Sequence, residues 1–332
     1  MDIASLEYLR CPVTGSALVL KNTEFGGNGK VISGELISDN GKHIYLVKNY
    51  IPRFVPESNY ADNFGMQWNR FSKTQLDSHS GQPISSDRFW DATGWNPENL
   101  KDQWVLDVGC GSGRFAEIAL KAGAHVVALD YSTAVDACWD NLKSHPRLHI
   151  VQGDIFALPF KSEWFSYVYS LGVLQHTPNV ELAFKSLPRV LKQKGNICVD
   201  YYWRRIRTLL NVKYALLPFT RRMNQKRLFS ILEKAIPTLL HISNIFRQIP
   251  IIGKGLQRCV PVANYNGIYS LTSIQQEEWA LLDTFDMLGP QYDTPQSKST
   301  IHRWMLESEF ESIEIVHSTL LVTRGVKKIK GP

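Results

Sequence analysis

The chain has 332 residues, a formal net charge of +6, 44% hydrophobic residues and 20% charged residues. This length fits one large α/β domain with additions, or two domains, and the composition excludes collagen-like, coiled-coil and wholly disordered classes. Lys213 and Arg247 interrupt the longest apolar runs, so no membrane-spanning helix is predicted.

The start of the chain and its cysteines favour the cytoplasm. The first residues lack a basic stretch followed by an apolar one, so no signal peptide is expected. The five cysteines are widely spread and odd in number, which argues against a disulfide framework and for a reducing compartment.

Five segments are predicted in chain order. Residues 1–57 form a small β-rich module with turns at Gly26-Gly27 and Asn40-Gly41, and residues 58–99 are helices that precede the core. Residues 100–203 alternate apolar runs with helical patterns, which is typical of a parallel sheet flanked by helices. The fifth core strand is expected at about 195–203. Residues 204–298 read as a basic helical insertion, and residues 299–332 as a helix and two strands near 312–317 and 320–323. Within the insertion, an amphipathic helix is predicted from the apolar stripe of Leu228, Ile231, Leu232, Ala235 and Ile236.

A glycine-rich loop joins a predicted strand to a predicted helix in the core. The apolar run 104–108 leads into Gly109, Cys110, Gly111, Ser112 and Gly113, and a helical pattern follows. Glycines let the backbone approach a ligand closely, and the free N–H groups of a helix start favour a carboxylate or phosphate. A tight structural turn is the alternative for such a loop taken alone.

Acidic residues follow the next two predicted strands. Asp130 ends the run 125–130, seventeen positions after Gly113, where a carboxylate is placed to accept hydrogen bonds from ribose hydroxyls. Asp154 follows the run 148–152 and could accept a hydrogen bond from an exocyclic amine, or it could only form an Asx turn.

The glycine spacing excludes two other nucleotide sites. A dinucleotide fingerprint requires a third Gly or Ala three positions after Gly111, where Arg114 stands. No Lys followed by Ser or Thr closes the loop, so it is not a P-loop.

These motifs together resemble the class I S-adenosylmethionine-dependent methyltransferases, in particular the bacterial type 11/12 group. The resemblance covers about residues 100–203, and its matching segments are Val105–Phe115, Asp130, Gly153-Asp154, Leu158–Phe160, Ser170–His176 and Leu187–Gly195. It implies an α/β Rossmann-like sheet of seven strands with the last strand antiparallel.

The resemblance also implies which residues bind S-adenosylmethionine. Asp107 and the glycine loop would hold its methionine end, Asp130 its ribose hydroxyls, and Asp154 with Ile155 its adenine. Cys110 would be a small spacer within the loop. The predicted cofactor-binding residues are Asp107, Gly109, Cys110, Gly111, Gly113, Asp130, Tyr131, Asp154, Ile155 and Leu171.

Segments outside the core carry a weaker resemblance to bacterial members of the group. Residues 62–71 look like a segment that covers the cofactor site, although Trp68 and Phe71 could simply anchor a surface helix. Residues 284–286 and 290–293 look like a second such motif. The predicted lid and substrate residues are Phe64, Gln67, Trp68, Arg70, Tyr265 and Tyr292.

The first fifty residues resemble a zinc-ribbon-like module that has lost its ligands. Cys11-Pro12 begins like one of its knuckles, but Thr14 stands where the second cysteine would fall, and no other cysteine occurs before Cys110. A zinc ribbon requires four ligands. The module is therefore expected to bind no metal and to fold around its own small core.

His176 is the predicted catalytic residue. The segment after the fourth core strand borders the methyl group in the resembling fold, and an imidazole can accept a proton at neutral pH. A base at this position favours a hydroxyl acceptor, and therefore O-methylation. The alternative is that His176 caps a helix or only shapes the pocket.

The insertion concentrates positive charge. Residues 201–260 carry twelve bases and one acid, a net +11, which leaves −5 for the rest of the chain. Three interpretations compete: a small, nucleotide-linked or lipid-linked anionic acceptor, peripheral contact with the inner membrane surface through residues 204–260, or a solvated helical face. Nucleic acid is not expected, because no binding motif accompanies the charge.

Two other functions remain open at this point. A catalytically inactive cofactor-binding partner protein would explain the degenerate ribbon and the lack of a recognisable acceptor motif. A nicotinamide-dependent oxidoreductase is the other, and the glycine spacing argues against it.

Overall fold

A computed structural model describes residues 1–27, 29–56, 61–205, 212–317 and 320–329. The strands in these residues are β1 (Leu18–Phe25), β2 (Val31–Ser38), β3 (Ile44–Lys48), β4 (Ile51–Arg53), β5 (Trp104–Val108), β6 (His125–Asp130), β7 (Leu148–Gln152), β8 (Phe165–Ser170), β9 (Leu191–Tyr201), β10 (Phe310–His317) and β11 (Leu321–Lys327).

Helices surround the sheet on both faces. They are α1 (Asp62–Arg70), α2 (Asp77–Ser80), α3 (Ile84–Thr93), α4 (Pro97–Leu100), α5 (Ala116–Lys121), α6 (Ala134–Leu142), α7 (Val180–Ser186), α8 (Val212–Thr220), α9 (Gln225–Gln248), α10 (Gly253–Gln257), α11 (Ser273–Leu288) and α12 (Lys298–Glu307). Below, α1 is called the lid helix and α11 the roof helix. No helix in the described ranges is both long and apolar enough to cross a bilayer.

The strands form one sheet in the order β1-β2-β3-β4-β7-β6-β5-β8-β9-β11-β10. The five central strands from β7 to β9 run parallel, and β11 lies antiparallel to β9 and β10. This arrangement confirms the predicted Rossmann-like α/β fold of seven core strands with an antiparallel last strand.

The chain order places a crevice at one position in the sheet. From β5 the chain adds β6 and β7 on one side, and then crosses to add β8 and β9 on the other. The helices that follow β5 and β8 pack in different hydrophobic clusters, on opposite faces of the sheet. The crevice between two such connections is where open α/β sheets bind ligands.

The N-terminal module extends the core sheet and shares its core, which corrects the expectation of a core of its own. Strand β4 lies parallel to β7, with Arg53 opposite Gln152. Tyr8 is 1% exposed and packs against Trp104 and Trp164, with ring centroids 5.4 and 5.8 Å apart. The buried apolar residues of the module belong to the same hydrophobic clusters as residues of the core strands. Apolar burial at this junction ties the module to the core.

Some predicted boundaries shift. Strand β9 begins at Leu191 and not at Gly195, and the two tail strands begin at Phe310 and Leu321. The predicted apolar stripe of α9 is partly wrong, because Ile231 is 45% exposed while Leu228, Leu232 and Ile236 are buried. The helix turns its buried side toward the roof helix, so the stripe continues to Leu240.

The shared core predicts that the module and the core unfold together. Tyr8→Ala removes a buried ring, and we expect it to lower the free energy of unfolding by about 3–5 kcal/mol. Urea unfolding followed by circular dichroism should show one cooperative transition at a lower midpoint. Val13→Ala is the control, because Val13 is 68% exposed and its loss should change stability little. A separate early transition of the module, with the main midpoint unchanged, would contradict the shared core.

Candidate active site

A cleft lies at the carboxyl ends of β5, β6, β7 and β8, beneath the lid helix and the roof helix. It encloses about 1080 Å³, including its open mouth. The predicted site residues that line it are Phe64, Trp68, Gly109, Cys110, Gly111, Asp130, Tyr131, Ile155, Leu171 and His176. Residues from distant parts of the chain are thus brought to one cavity.

The glycine loop has a backbone that side chains would obstruct. Gly109, Gly111 and Gly113 have φ values of +84°, +53° and +92°. A Cβ at Gly109 would collide with Val173, and one at Gly111 would lie 3.1 Å from the Trp68 ring. The absence of side chains therefore keeps the floor of the cleft open and lets the lid helix close over it.

The loop is fixed to the neighbouring strand. The amides of Gly109 and Cys110 both donate to the Leu129 carbonyl, at 2.7 and 2.9 Å. The Gly111 amide donates to Oδ2 of Asp130 at 2.9 Å. These bonds set the loop before any ligand arrives, so a ligand meets a preorganised cradle.

Asp130 is the predicted ribose ligand, and it already has protein partners. Its Oδ1 accepts hydrogen bonds from the amide and hydroxyl of Ser132, at 2.8 and 2.7 Å. Burial raises the pKa of Asp130, while the Ser132 bonds act in the opposite direction. A carboxylate has about four lone-pair sites. With three bonds made, Oδ2 retains capacity for one hydroxyl.

Asp107 lies beneath the glycine loop and does not line the cleft. It is 1% exposed, and its Oδ2 has no hydrogen-bond partner in the described chain. Burial raises the pKa of Asp107 to about 8, and the charge of Asp130 adds to this effect. Gly113 likewise lies behind the lining, because its Cα faces Leu142 and Cys138. Both residues shape the loop from behind.

Asp154, which follows β7, forms the Asx turn that is one of its two predicted roles. Its Oδ1 accepts a hydrogen bond from the Phe156 amide at 2.9 Å, which is an Asx-type turn. Asp154 itself is not among the lining residues, whereas Gly153 and Ile155 are. The adenine contact of Asp154 stays a prediction, and Ile155 supplies an apolar wall.

The lid helix presents two aromatic rings to the cleft. Phe64 and Trp68 line it, and Asn69 fastens the helix by donating to the Thr133 carbonyl at 3.0 Å. The other predicted residues of this helix point elsewhere. Gln67 is fully buried outside the lining, with both amide atoms unpartnered in the described chain, and Arg70 forms an exposed ion pair with Glu233.

His176 is held in one orientation inside the cleft. Its Nδ1 lies 3.0 Å from the carbonyl oxygen of Tyr292, and a carbonyl only accepts, so Nδ1 carries hydrogen. The residue is 5% exposed, and Nε2 has no partner in the described chain. The ring also packs against Phe64 and Tyr202, with centroids 5.5 and 5.4 Å away. In the neutral ring, Nε2 is therefore a free proton acceptor.

Tyr292 and Tyr265 support the site from outside the lining. Tyr292 contributes its carbonyl to His176, and the Tyr265 hydroxyl donates to Asp283 of the roof helix. Burial raises the pKa of Asp283 to about 6, and the charge of Asp286 adds to this effect. Both tyrosines thus lie behind the wall of the cleft, and their predicted contact with a substrate stays a prediction.

A set of charged wall residues was not predicted as part of the site. Arg88 forms an ion pair with Asp200 at 2.9 Å, and Arg114 donates to Ser85 at 2.8 Å and to Gln75 at 2.6 Å. Burial lowers the pKa of Arg114 to about 10, and the charge of Arg88 adds to this effect. The positions of Arg88 and Arg114 depend on packing between α3, the glycine loop and the roof helix, so no local motif predicts them. Arg88 stands between Asp87 and Asp91 in α3, so its charge does not single it out in the sequence.

The bases of the insertion lie outside the cleft. Its lining includes Leu282, Asp283 and Asp286 from the roof helix, but no Arg or Lys of residues 204–205 and 212–260. Lys213 is buried in an ion pair with Asp293 at 2.7 Å. Exposed bases such as Arg222, Lys226 and Arg227 face the surroundings instead.

The N-terminal module places Cys11 in a protein contact. Its Sγ lies 3.3 Å from the Tyr45 hydroxyl. Within the described residues, no three His, Cys, Asp or Glu side chains form a group that could hold a metal ion. The absence of zinc stays a prediction.

The central segment is similar to known methyltransferases. The methyltransferase-domain family matches residues 106–199. The sterol 24-C-methyltransferase of Pneumocystis carinii is 34% identical over 104 residues, which are 30% of this chain and 27% of that protein. The demethylmenaquinone methyltransferase of Staphylococcus haemolyticus is 34% identical over 117 residues, 32% of this chain and 49% of that protein.

A third relative and a solved structure complete the comparison. The ubiquinone biosynthesis O-methyltransferase of Bartonella quintana is 33% identical over 112 residues, 31% of this chain and 41% of that protein. The structure of magnesium protoporphyrin IX methyltransferase from Synechocystis PCC 6803 has a TM-score of 0.44 and 13% identity, covering 81% of this chain and 97% of that chain.

The chain therefore spans between a quarter and a half of the length of the curated relatives it matches. The matched segment runs from within β5 to within β9 and contains the glycine loop, Asp130 and His176, which build the cleft floor. Residues 106–199 thus match the methyltransferase-domain family, and S-adenosylmethionine is the cofactor that this match indicates.

Proposed function

We propose that this chain is an enzyme that transfers a methyl group from S-adenosylmethionine to an oxygen of a small-molecule acceptor. The observation that carries the proposal is Nε2 of His176, a buried and unpartnered base in the same cleft as the glycine loop. General acid–base catalysis requires such a group within reach of the proton that leaves.

The residues of the cleft fit the cofactor. The backbone of Gly109 to Gly111 offers close approach, and Oδ2 of Asp130 can accept from a ribose hydroxyl. Ile155 offers an apolar wall for a purine ring, and the guanidinium groups of Arg88 and Arg114 favour a carboxylate nearby. The lid rings exclude water from the space between them.

His176 explains a preference for oxygen. When bound, the cofactor supplies an electrophilic methyl group on a sulfonium, and sulfur keeps the electron pair of the bond that breaks. The acceptor oxygen forms the new bond to carbon, and its proton passes to Nε2. A hydroxyl of high pKa needs this help, and the Tyr292 carbonyl stabilises the imidazolium that results.

The activities named for the relatives do not decide the acceptor atom. One is named an O-methyltransferase and another a C-methyltransferase. An inactive cofactor-binding partner protein remains the alternative class, and Nε2 of His176 argues against it because an inactive protein has no need of a fixed, unpartnered base. A nicotinamide-dependent oxidoreductase is disfavoured by Arg114, which stands at the fingerprint position.

We propose further that the acceptor is anionic at a part that stays outside the cleft. The exposed bases of the insertion do not line the cavity, so they suit a phosphate or carboxylate at its periphery. Such a group can belong to a nucleotide-linked or lipid-linked acceptor. An anionic membrane surface offers the same chemistry, and exposed Phe219 and Ile231 beside these bases suit that source.

Cofactor binding tests the site itself. We expect calorimetric titration with S-adenosylmethionine and S-adenosylhomocysteine to show micromolar binding that Asp130→Ala weakens at least about tenfold, because a buried charge-assisted hydrogen bond is lost. Asp140→Ala is the control, since Asp140 is an exposed acid paired only with Lys143. Equal binding by wild type and Asp130→Ala would contradict the ribose contact.

Methyl transfer tests the chemistry. With tritiated S-adenosylmethionine, we expect wild-type protein to label a component of a lipid or small-molecule extract, and the stability of the label to acid and base to identify the linkage. His176→Ala should lower the rate at least about tenfold while cofactor binding is retained. A smaller loss would assign His176 to shaping the pocket. His302→Ala is the matched control, because His302 is an exposed histidine on α12.

The source of the anionic contact is tested with vesicles and with pyrophosphate. If the source is a membrane, phosphatidylglycerol vesicles should sediment the protein at low salt and release it at high salt. The triple variant Arg222→Gln, Lys226→Gln, Arg227→Gln should lose most of this binding, and the control Lys21→Gln, Lys42→Gln, Lys194→Gln should keep it. Pyrophosphate binding without sedimentation would assign the contact to the acceptor itself. If the triple variant kept both vesicle sedimentation and pyrophosphate binding, an anionic partner at these bases would be refuted.

A further inference from the structure

Most ionisable groups on the cleft wall already have protein partners. Asp130 accepts three hydrogen bonds, and Asp283 accepts from Gln75 and Tyr265. Arg88 is paired with Asp200, and Arg114 with Ser85 and Gln75. These groups hold the walls together and are largely occupied.

Two lining groups differ from the rest. Nε2 of His176 has no partner in the described chain, although the residue is 5% exposed. The carboxylate of Asp286 lines the same cleft and makes no hydrogen bond or ion pair with the described residues. It lies one helical turn beyond Asp283, so both carboxylates project from the same face of the roof helix.

Asp286 and His176 are electrostatic neighbours. Burial raises the pKa of Asp286, the charges of His176, Lys213 and Arg88 lower it, and the charge of Asp293 raises it. Asp283, on the same helix, is in turn affected by Asp286. The cations in this set are engaged elsewhere, since Lys213 pairs with Asp293 and Arg88 with Asp200.

Both groups accept hydrogen bonds and neither finds a donor in the described chain. An ionised carboxylate only accepts, and so does Nε2 once Nδ1 carries the hydrogen. A buried acceptor such as Nε2 is costly when it is left without a donor, whereas the half-buried carboxylate of Asp286 is open to the cleft and available to a ligand there. A ligand that brings donors is therefore strongly favoured over one that lacks them.

We propose that Asp286 and Nε2 of His176 together form the acceptor-recognition end of the cleft, and that the acceptor presents two hydrogen-bond donors there. One donor is the hydroxyl that becomes methylated and gives its proton to His176. The other is a second hydroxyl or an amine that Asp286 orients. This rests on the proposed methyl transfer, and it names the class of acceptor as one with a donor pair at its reacting end.

The walls indicate how to probe this pair. Phe64, Trp68 and Phe115 line the cleft, and aromatic rings favour a flat aromatic ligand. Catechol carries two adjacent hydroxyls, guaiacol has one of them methylated, and veratrole has both methylated. The series thus removes donors one at a time while it keeps the ring.

Ligand-observed NMR on the full chain, with and without S-adenosylhomocysteine, measures the affinities. We expect catechol to bind about tenfold more tightly than veratrole, with guaiacol between them. Asp286→Leu should weaken catechol about tenfold and leave veratrole unchanged, which shows that the cleft is intact. Asp286→Glu should restore part of the preference. Glu277→Gln is the matched control, because it removes an exposed charge from the same helix.

The outcomes separate this inference from the proposed function. Equal affinities across the series in wild type, or a catechol preference that survives Asp286→Leu, would overturn the donor pair. Calorimetry with S-adenosylhomocysteine reports independently on the cofactor site. Cofactor binding without a catechol preference would leave the methyltransferase proposal standing and refute only the acceptor class.

Discussion

The site depends on a backbone constraint at the end of β5. The chain must leave a buried parallel strand, turn beneath a ligand and begin a helix within a few residues, and three glycines with positive φ make this possible. At Gly109 the turn has no room for a side chain, because Val173, which follows β8, fills the adjacent space. The loop after β5 and the segment that carries His176 are thereby packed together, so the cofactor cradle and the candidate base share one wall.

The closing elements are fixed to this floor by polar contacts. Asp200 at the end of β9 accepts from the Gly172 amide and pairs with Arg88, which links the loop after β8 to α3. On the opposite side, Gln75 bridges Arg114 and Asp283, and so joins the glycine loop to the roof helix. Buried networks of this kind hold a geometry because every broken bond leaves a charge unpaired. The cleft is therefore a preformed cavity between rigid elements.

Local patterns in the sequence were sufficient for the core and insufficient for the closure. The strand–glycine–helix segment and Asp130 are read from short motifs, because each depends on residues adjacent in the chain, and His176 follows from the family resemblance that these motifs carry. The docking of the N-terminal module on β7 and the placement of Asp286 and His176 in one cleft bring together distant parts of the chain, which no local period encodes. The same reason explains the exposed Ile231, since the apolar stripe predicts a helix but not which of its borderline positions the roof helix covers.

Charges of opposite sign lie inside the cleft and on the surface outside it. The insertion carries a net +11 in residues 201–260, but it offers the cavity Asp283 and Asp286 and keeps its described bases away from it. A carboxylate near the reacting end repels anions and favours donors, whereas exposed bases attract anions by long-range interaction. The two preferences suit an acceptor with distinct ends, one neutral and hydrogen-bond donating, the other anionic. This separation would orient the acceptor before it enters, because only one end is attracted to each surface.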